Sequence, residues 1–175
     1  MSAAIRSAET VVVDTAAMGT LSTPSGVAGQ GGGADGAEPS VSTRCPECGA
    51  LHHQGRWRWG LPYISAEQRV CPACVRMADG TPAGMLVIPS DAVGGDGDSI
   101  LFLIRHAAGA ERRDDPMRRI IGVTEDAGQG IMVTATDAGL PAELGRRLAA
   151  ALGGVVTSDA PDPLGFVRVF WHRPL

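Results

Sequence analysis

Four cysteines form two C-x-x-C pairs, Cys45-Pro46-Glu47-Cys48-Gly49 and Cys71-Pro72-Ala73-Cys74, with twenty-two residues between the inner two. Each pair can fold into a tight turn that aims two sulfurs at one ion, and Gly49 permits a left-handed turn residue. Backbone N–H groups in such turns point at the thiolates and ease their charge. Two turns give a closed tetrahedral site of four sulfurs, Cys45, Cys48, Cys71 and Cys74. No ligand position is left open, so the chemistry is that of a structural zinc centre and not a hydrolytic one. Disulfides or a thioredoxin-like redox pair are the competing uses. The first conflicts with the lack of an export signal, the second with two symmetric pairs outside a strand–helix context. A rubredoxin-like iron site has similar knuckles. His52 and His53 are placed either to replace a cysteine or to sit as loop histidines beside the site.

Between the pairs, Arg56-Trp57-Arg58-Trp59 alternates two residue types. On an extended strand the arginines point one way and the tryptophans the other. Two readings stay open for the tryptophans: packing in a module with little core, or stacking on an exposed base. For the arginines the choice is a phosphate backbone or solvent. Further basic pairs are Arg112-Arg113, Arg118-Arg119 and Arg146-Arg147. With Arg56 and Arg58 they form one basic surface if the fold brings them together.

Catalytic constellations are missing. There is no G-x-S-x-G, no H-E-x-x-H and no G-x-G-x-x-G between strand and helix. All 15 basic residues other than histidine are arginine. This excludes a P-loop lysine, a Schiff-base lysine and a lysine general base. His106 and His172 have no evident partner, and the adjacent Asp114 and Asp115 do not span a substrate. The expectation is a protein that is not an enzyme and takes no small-molecule substrate.

Three regions must position these residues. Residues 1–43 are rich in Gly, Ala, Ser and Thr and read as a disordered tail, in which only Thr10–Val13 is strand-like. Residues 44–81 read as a four-cysteine zinc ribbon. Residues 82–175 alternate strand and helix. Met85–Ile88 is a short strand. Asp98-Ser99 caps a helix carrying Ile100, Leu101, Ile104, Ala107 and Ala108 on one face, which Pro116 stops. Arg119–Thr124 and Gly130–Thr136 read as strands joined by a turn over residues 125–129. Thr136-Asp137 caps a second helix, whose Leu140, Leu144, Leu148 and Leu152 make an apolar stripe. Pro141 fits that helix only in its first turn. Gly153-Gly154 ends it. Val155–Thr157 and Gly165–Trp171 are the last strand candidates. The class is α+β, and the order βαββαβ predicts a ferredoxin-like unit: an antiparallel sheet with both helices on one face.

The 175 residues carry a formal net charge of −4, which argues against a nucleic-acid-coating protein. The total hides a division. Residues 44–81 set five arginines against Glu47, Glu67 and Asp79, leaving +2, while the two flanking regions are each −3. No window approaches roughly eighteen consecutive apolar residues, so no membrane partner is expected. The start of the chain lacks a clean signal-peptide pattern, and the expected location is the cytoplasm.

From Arg44 onward the sequence resembles a bacterial family of small zinc-ribbon proteins. That family is similar to the N-terminal region of the adaptor that escorts large ribosomal subunits in archaea and eukaryotes. The resemblance is carried by the two cysteine motifs, by Gly55-Arg56-Trp57-Arg58-Trp59-Gly60, and by Arg76, Asp79 and Pro82-Ala83-Gly84. It continues through Ile104-Arg105, Asp115-Pro116-Met117-Arg118-Arg119-Ile120, Val133–Asp137 and Leu144-Gly145-Arg146-Arg147-Leu148. It covers about three quarters of the chain. It implies a zinc protein that associates with RNA or a ribosomal particle, in stress or dormancy, with the four cysteines as ligands. The chain departs from the family at Ala135, where a threonine is usual. It also departs at Ala138–Ala142, where a histidine-leucine-alanine-arginine run is usual and Pro141 now stands.

The RNA contacts expected from the basic segment and the arginine pairs are Arg56, Trp57, Arg58, Trp59, Arg118, Arg119, Arg146 and Arg147. A zinc-stabilised protein–protein adaptor without RNA contact, docking through the C-terminal sheet, is the alternative. An iron-binding redox protein is a third.

Overall fold

The change of character near residue 81 becomes a change of sheet. The computed structural model describes residues 11–12, 42–60 and 66–173. In chain order its elements are β1 (Val11–Val12), β2 (Thr43–Arg44), β3 (Leu51–His53), β4 (Arg56–Arg58), β5 (Glu67–Gln68), α1 (Pro72–Asp79), β6 (Gly84–Ile88), α2 (Ser90–Val93), α3 (Gly97–Asp114), β7 (Ile120–Asp126), β8 (Gly130–Ala135), α4 (Leu140–Leu152), β9 (Val155–Ser158) and β10 (Val167–His172). The architecture is α+β, as the sequence predicts, and the described residues form two sheets and four helices, of which the sequence predicts two, α3 and α4. The small sheet runs β4-β3-β2-β5 and the large one β1-β9-β10-β6-β8-β7.

The predicted helix periodicities hold because they follow from spacing alone. On α3, residues Ile100, Leu101, Ile104, Ala107 and Ala108 are buried. The helix starts at Gly97, earlier than the Asp98-Ser99 cap implies, and Asp96 precedes it without a side-chain cap bond. It ends before Asp115, which is extended at φ −135°, ψ 114° because Pro116 follows. On α4, Leu140, Leu144 and Leu148 are buried and Pro141 occupies the first turn. Asp137 serves this helix through Oδ1, which accepts from the N–H groups of Gly139 and Leu140, both at 2.9 Å. The short α2 was not expected; Ser90 Oγ ties it to the β7–β8 turn by donating to the Gly128 carbonyl at 3.2 Å.

Alternate strand residues Leu86, Ile88, Ile131, Val133, Val169 and Trp171 join the α3 and α4 residues in one core. The opposite strand faces present Met85, Val87, Met132 and Phe170 half-buried.

The sheet departs from the ferredoxin-like plan in one respect. β6, β8 and β7 pair antiparallel, as that plan requires. Both final strand candidates form, and together they make a hairpin. It is β10 that lies beside β6, and it lies parallel, with Val169 opposite Leu86. β9 is displaced one place outward, and β1 adds to its edge with Val11 opposite Ser158. The unit is therefore βαββαββ with one parallel pair. Strand-prone Val11–Val12 thus pairs inside the stretch read as a disordered tail; the rest of that prediction, up to residue 41, lies outside the described residues.

Trp171 explains which strand takes the inner place. It is completely buried, and its Nε1 donates to the Gly153 carbonyl at 3.0 Å, closing the end of α4. Trp171→Phe is expected to lower stability by about 1–3 kcal/mol, from a small cavity and an unpaired carbonyl. Urea unfolding checks this; an unchanged midpoint would remove Trp171 from that role.

Candidate metal centre

The four cysteine sulfurs lie within 4.8 Å of one another. Such a cluster can hold a metal ion, and none of the four is in a disulfide. Cys45, Cys71 and Cys74 are buried and Cys48 is partly so. Cys48 Sγ and Cys71 Sγ stand 3.7 Å apart.

The two C-x-x-C pairs reach this cluster differently. The first makes the expected turn. Gly49 N–H donates to the Cys45 carbonyl at 2.9 Å and Cys45 N–H to the Ala50 carbonyl at 2.8 Å, with Gly49 left-handed at φ 79°. The second pair does not make a matching turn; it opens a helix. Cys71 is the N-cap of α1, Pro72 follows it, and Cys74 stands in the first turn. Proline suits either use, since it fits a turn and also the first helical position. The helix N-terminus adds partial positive charge beside the sulfurs.

The expected N–H donors to sulfur are present. Cys71 N–H donates to Cys45 Sγ at 3.3 Å, and Cys74 N–H to Cys71 Sγ at 3.4 Å. Burial acts to raise the Cys45 thiol, but backbone donors, Cys71 first, outweigh it and bring it down to about 7. At Cys71 and Cys74 burial dominates and pushes both thiols up. A metal-free centre therefore holds protons that an arriving cation must displace.

Neither histidine joins the cluster. Both lie on strand β3 and not in a loop. His52 is buried against Trp57, ring centroids 5.3 Å apart. Its Nδ1 is buried with no hydrogen-bond partner among the described residues. His53 Nδ1 meets Ser42 Oγ at 3.2 Å.

The predicted RNA contacts separate into three groups. Arg56 and Arg58 are exposed and share a face of β4, with Trp57 half-buried on the other. Both tryptophans pack against the cysteine core, and Trp59 Nε1 donates to the Arg112 carbonyl at the end of α3, at 2.6 Å. Arg118, Arg146 and Arg147 form a second group with their charges already met. Arg118 pairs with Glu111 at 2.5 Å and Asp137 at 3.7 Å. Arg146 pairs with Glu143 at 2.5 Å, and Arg147 with Glu143 at 2.7 Å and Glu111 at 3.6 Å. Arg119 stands alone: it turns inward and is 7 % exposed. The eight residues thus do not make one open basic surface.

One arginine was missed. Arg44 lies directly across β3 from Arg58: Leu51 pairs with both. Residues paired in register share a sheet face, so Arg44, Arg56 and Arg58 point the same way, and all three are exposed. The carboxylate of this sheet, Glu67, is in register with Thr43 and faces the other way. Strand alternation gives the Arg56–Arg58 half of this surface, while Arg44 requires the register.

No family model, curated protein or solved structure matches this chain. No helix among the described residues is long and apolar enough to cross a membrane.

Proposed function

We propose that the chain is a cytoplasmic, non-enzymatic zinc protein whose cysteine module binds structured RNA, ribosomal RNA first. The observation that carries this is the three-arginine face of the small sheet. Arg44, Arg56 and Arg58 stand exposed on one side, make no ion pair among the described residues, and share that side with no carboxylate of the sheet. A planar guanidinium fork fits phosphate in two directions, which suits a folded RNA backbone better than a point charge does. The resemblance to ribosome-associated zinc ribbons supports the same reading and adds stress or dormancy as the setting. Arg118, Arg146 and Arg147 are left out of this interface because Glu111, Glu143 and Asp137 already hold them. Zinc is the proposed metal, and a colourless zinc-containing protein purified without added metal would dispose of the iron alternative.

The test is comigration with ribosomal particles on sucrose gradients, in growth and in stress. Arg56→Gln with Arg58→Gln is expected to weaken RNA binding about tenfold and to lower its salt slope by about 0.7–0.9 per arginine lost. Failure to comigrate in every condition would sink the ribosomal reading. An unchanged salt slope in the double variant would remove this face from it.

A second reading rests on the half-buried Met85, Val87, Met132 and Phe170, on the sheet face away from α3 and α4. A protein partner held there makes the chain an adaptor. Capture of a partner that survives nuclease and is lost in Val87→Asp would favour it.

A further inference from the structure

We infer that Arg119 is the counter-cation of the cysteine centre and that, through it, the bound metal fastens the cysteine module to the large sheet. This rests on the metal reading above. Arg119 immediately precedes β7 and so belongs to the large unit. Its Nη1 donates to Cys74 Sγ at 3.3 Å, and its guanidinium lies over the Trp59 ring at 6.0 Å. Cys74 and Trp59 both belong to the module. Nε donates to the Pro116 carbonyl at 2.7 Å, while Nη2 is buried with no hydrogen-bond partner among the described residues.

A guanidinium buried without an anion is strongly unfavourable. No carboxylate of the described residues forms an ion pair with Arg119, although Glu111 and Asp137 pair with the neighbouring Arg118. The remaining source of negative charge is the cysteine set. Four thiolates around a divalent cation leave an excess of about two negative charges, and Arg119 sits where it offsets part of that excess.

The backbone around Arg119 is fixed for this task. Its N–H donates to Thr136 Oγ1 at 3.0 Å, and its carbonyl accepts from the Thr136 N–H at 2.9 Å. Thr136 Oγ1 in turn donates to the Met117 carbonyl at 2.6 Å. Pro116 is fully buried and Met117 packs on the cysteine core. The segment 116–119 thus forms the seat of the module, with Arg119 as its one charged contact to the sulfurs.

The full chain, loaded with one equivalent of metal, tests this. Arg119→Gln is expected to keep one zinc per chain but to bind it about 10–100-fold more weakly in competition with a chromophoric chelator. With cobalt(II) in place of zinc, loss of the donor to Cys74 Sγ is expected to move the sulfur-to-metal charge-transfer band to lower energy. Amides of residues 117–119 are expected to exchange faster in the loaded variant. Arg119→Lys keeps the charge and is expected to recover part of the affinity. Arg119→Met, also uncharged, asks the same question should the glutamine variant not fold. Wild-type affinity and an unshifted cobalt spectrum in a neutral variant would overturn the inference. A wild-type chain that binds no metal would instead overturn the metal reading, and the inference with it.

Discussion

Stripping the metal is expected to unfold residues 43–79 and to leave the large sheet standing. The argument is one of core size. The module's buried cluster is Cys45, Ala50, Cys71, Ala73 and Cys74, joined at its edge by Cys48, Trp57, Trp59 and Met117. Three of these five side chains are the proposed ligands themselves, and of the module's other described residues only Thr43, Leu51 and His52 are buried. Without an ion the ligand sulfurs are small polar groups crowded within 4.8 Å, and two alanines and a leucine are not a core. Structural zinc supplies about 10–16 kcal/mol of binding free energy in comparable small modules, more than their apolar contacts can replace. The large unit buries Leu86, Ile88, Ile100, Ile104, Val133, Leu140, Leu144, Leu148, Val169 and Trp171 together and requires no ion.

Hydrogen exchange after chelation checks this. Leu51, His52 and Trp57 amides should lose protection while those of Leu86, Val133 and Val169 keep it. Cys71→Ser should do the same without chelator. Full protection of β3 in a chain shown to be metal-free would refute the argument. Acid should act in the same direction. Burial holds Cys71 and Cys74 above the usual thiol range, so they are protonated in the free chain and uptake of the metal expels those protons. Affinity therefore falls with falling pH over the whole range below the usual thiol value, and the module loosens as it does.

The cysteine cluster and the helical stripes were legible because each is a matter of spacing. Leu140, Leu144 and Leu148 fall on one face of any helix, whatever it packs against. The two C-x-x-C pairs bring four sulfurs together whether a pair folds as a turn or opens a helix, which is why the cluster is predictable and the form of the second pair is not. Strand order depends on distant partners. Val155–Thr157 and Gly165–Trp171 are equally extended in sequence, and only the burial of Trp171 against the end of α4 decides which one lies beside Leu86. Arg118 and Arg119 make the limit plainest. They are adjacent and identical in type, yet one meets Glu111 in partial exposure and the other turns inward to Cys74. Their difference is made by strand entry at Ile120 and by Thr136, seventeen residues away.

Gly130→Ala is expected to destabilise the large unit by about 3–5 kcal/mol, as backbone strain and overpacking act together. Gly130 opens β8 at φ +98°, where an L side chain is already strained. A Cβ there would stand 2.0 Å from the Ile88 carbonyl oxygen and 2.7 Å from both Pro89 C and Ser90 N. All three are backbone atoms, so no rotamer change can relieve the clash. The chain leaves β6 at Ile88 and turns into α2 directly over this glycine, and Ile88 is in register with Ile131. Making room means lifting the end of β6 or shifting β8, and either separates buried Ile88 and Ile131. The neighbouring Gly128 supplies the control. Its Cβ would meet only Asp126 Oδ1, at 3.4 Å, so Gly128→Ala is expected to stay within about 0.5 kcal/mol of the parent. The sequence places both glycines at one hairpin turn, but only the approach of Ile88–Ser90 makes one of them irreplaceable. Denaturant midpoints of the two variants, measured on the metal-loaded chain, decide the matter: similar midpoints would mean that α2 is not seated on Gly130.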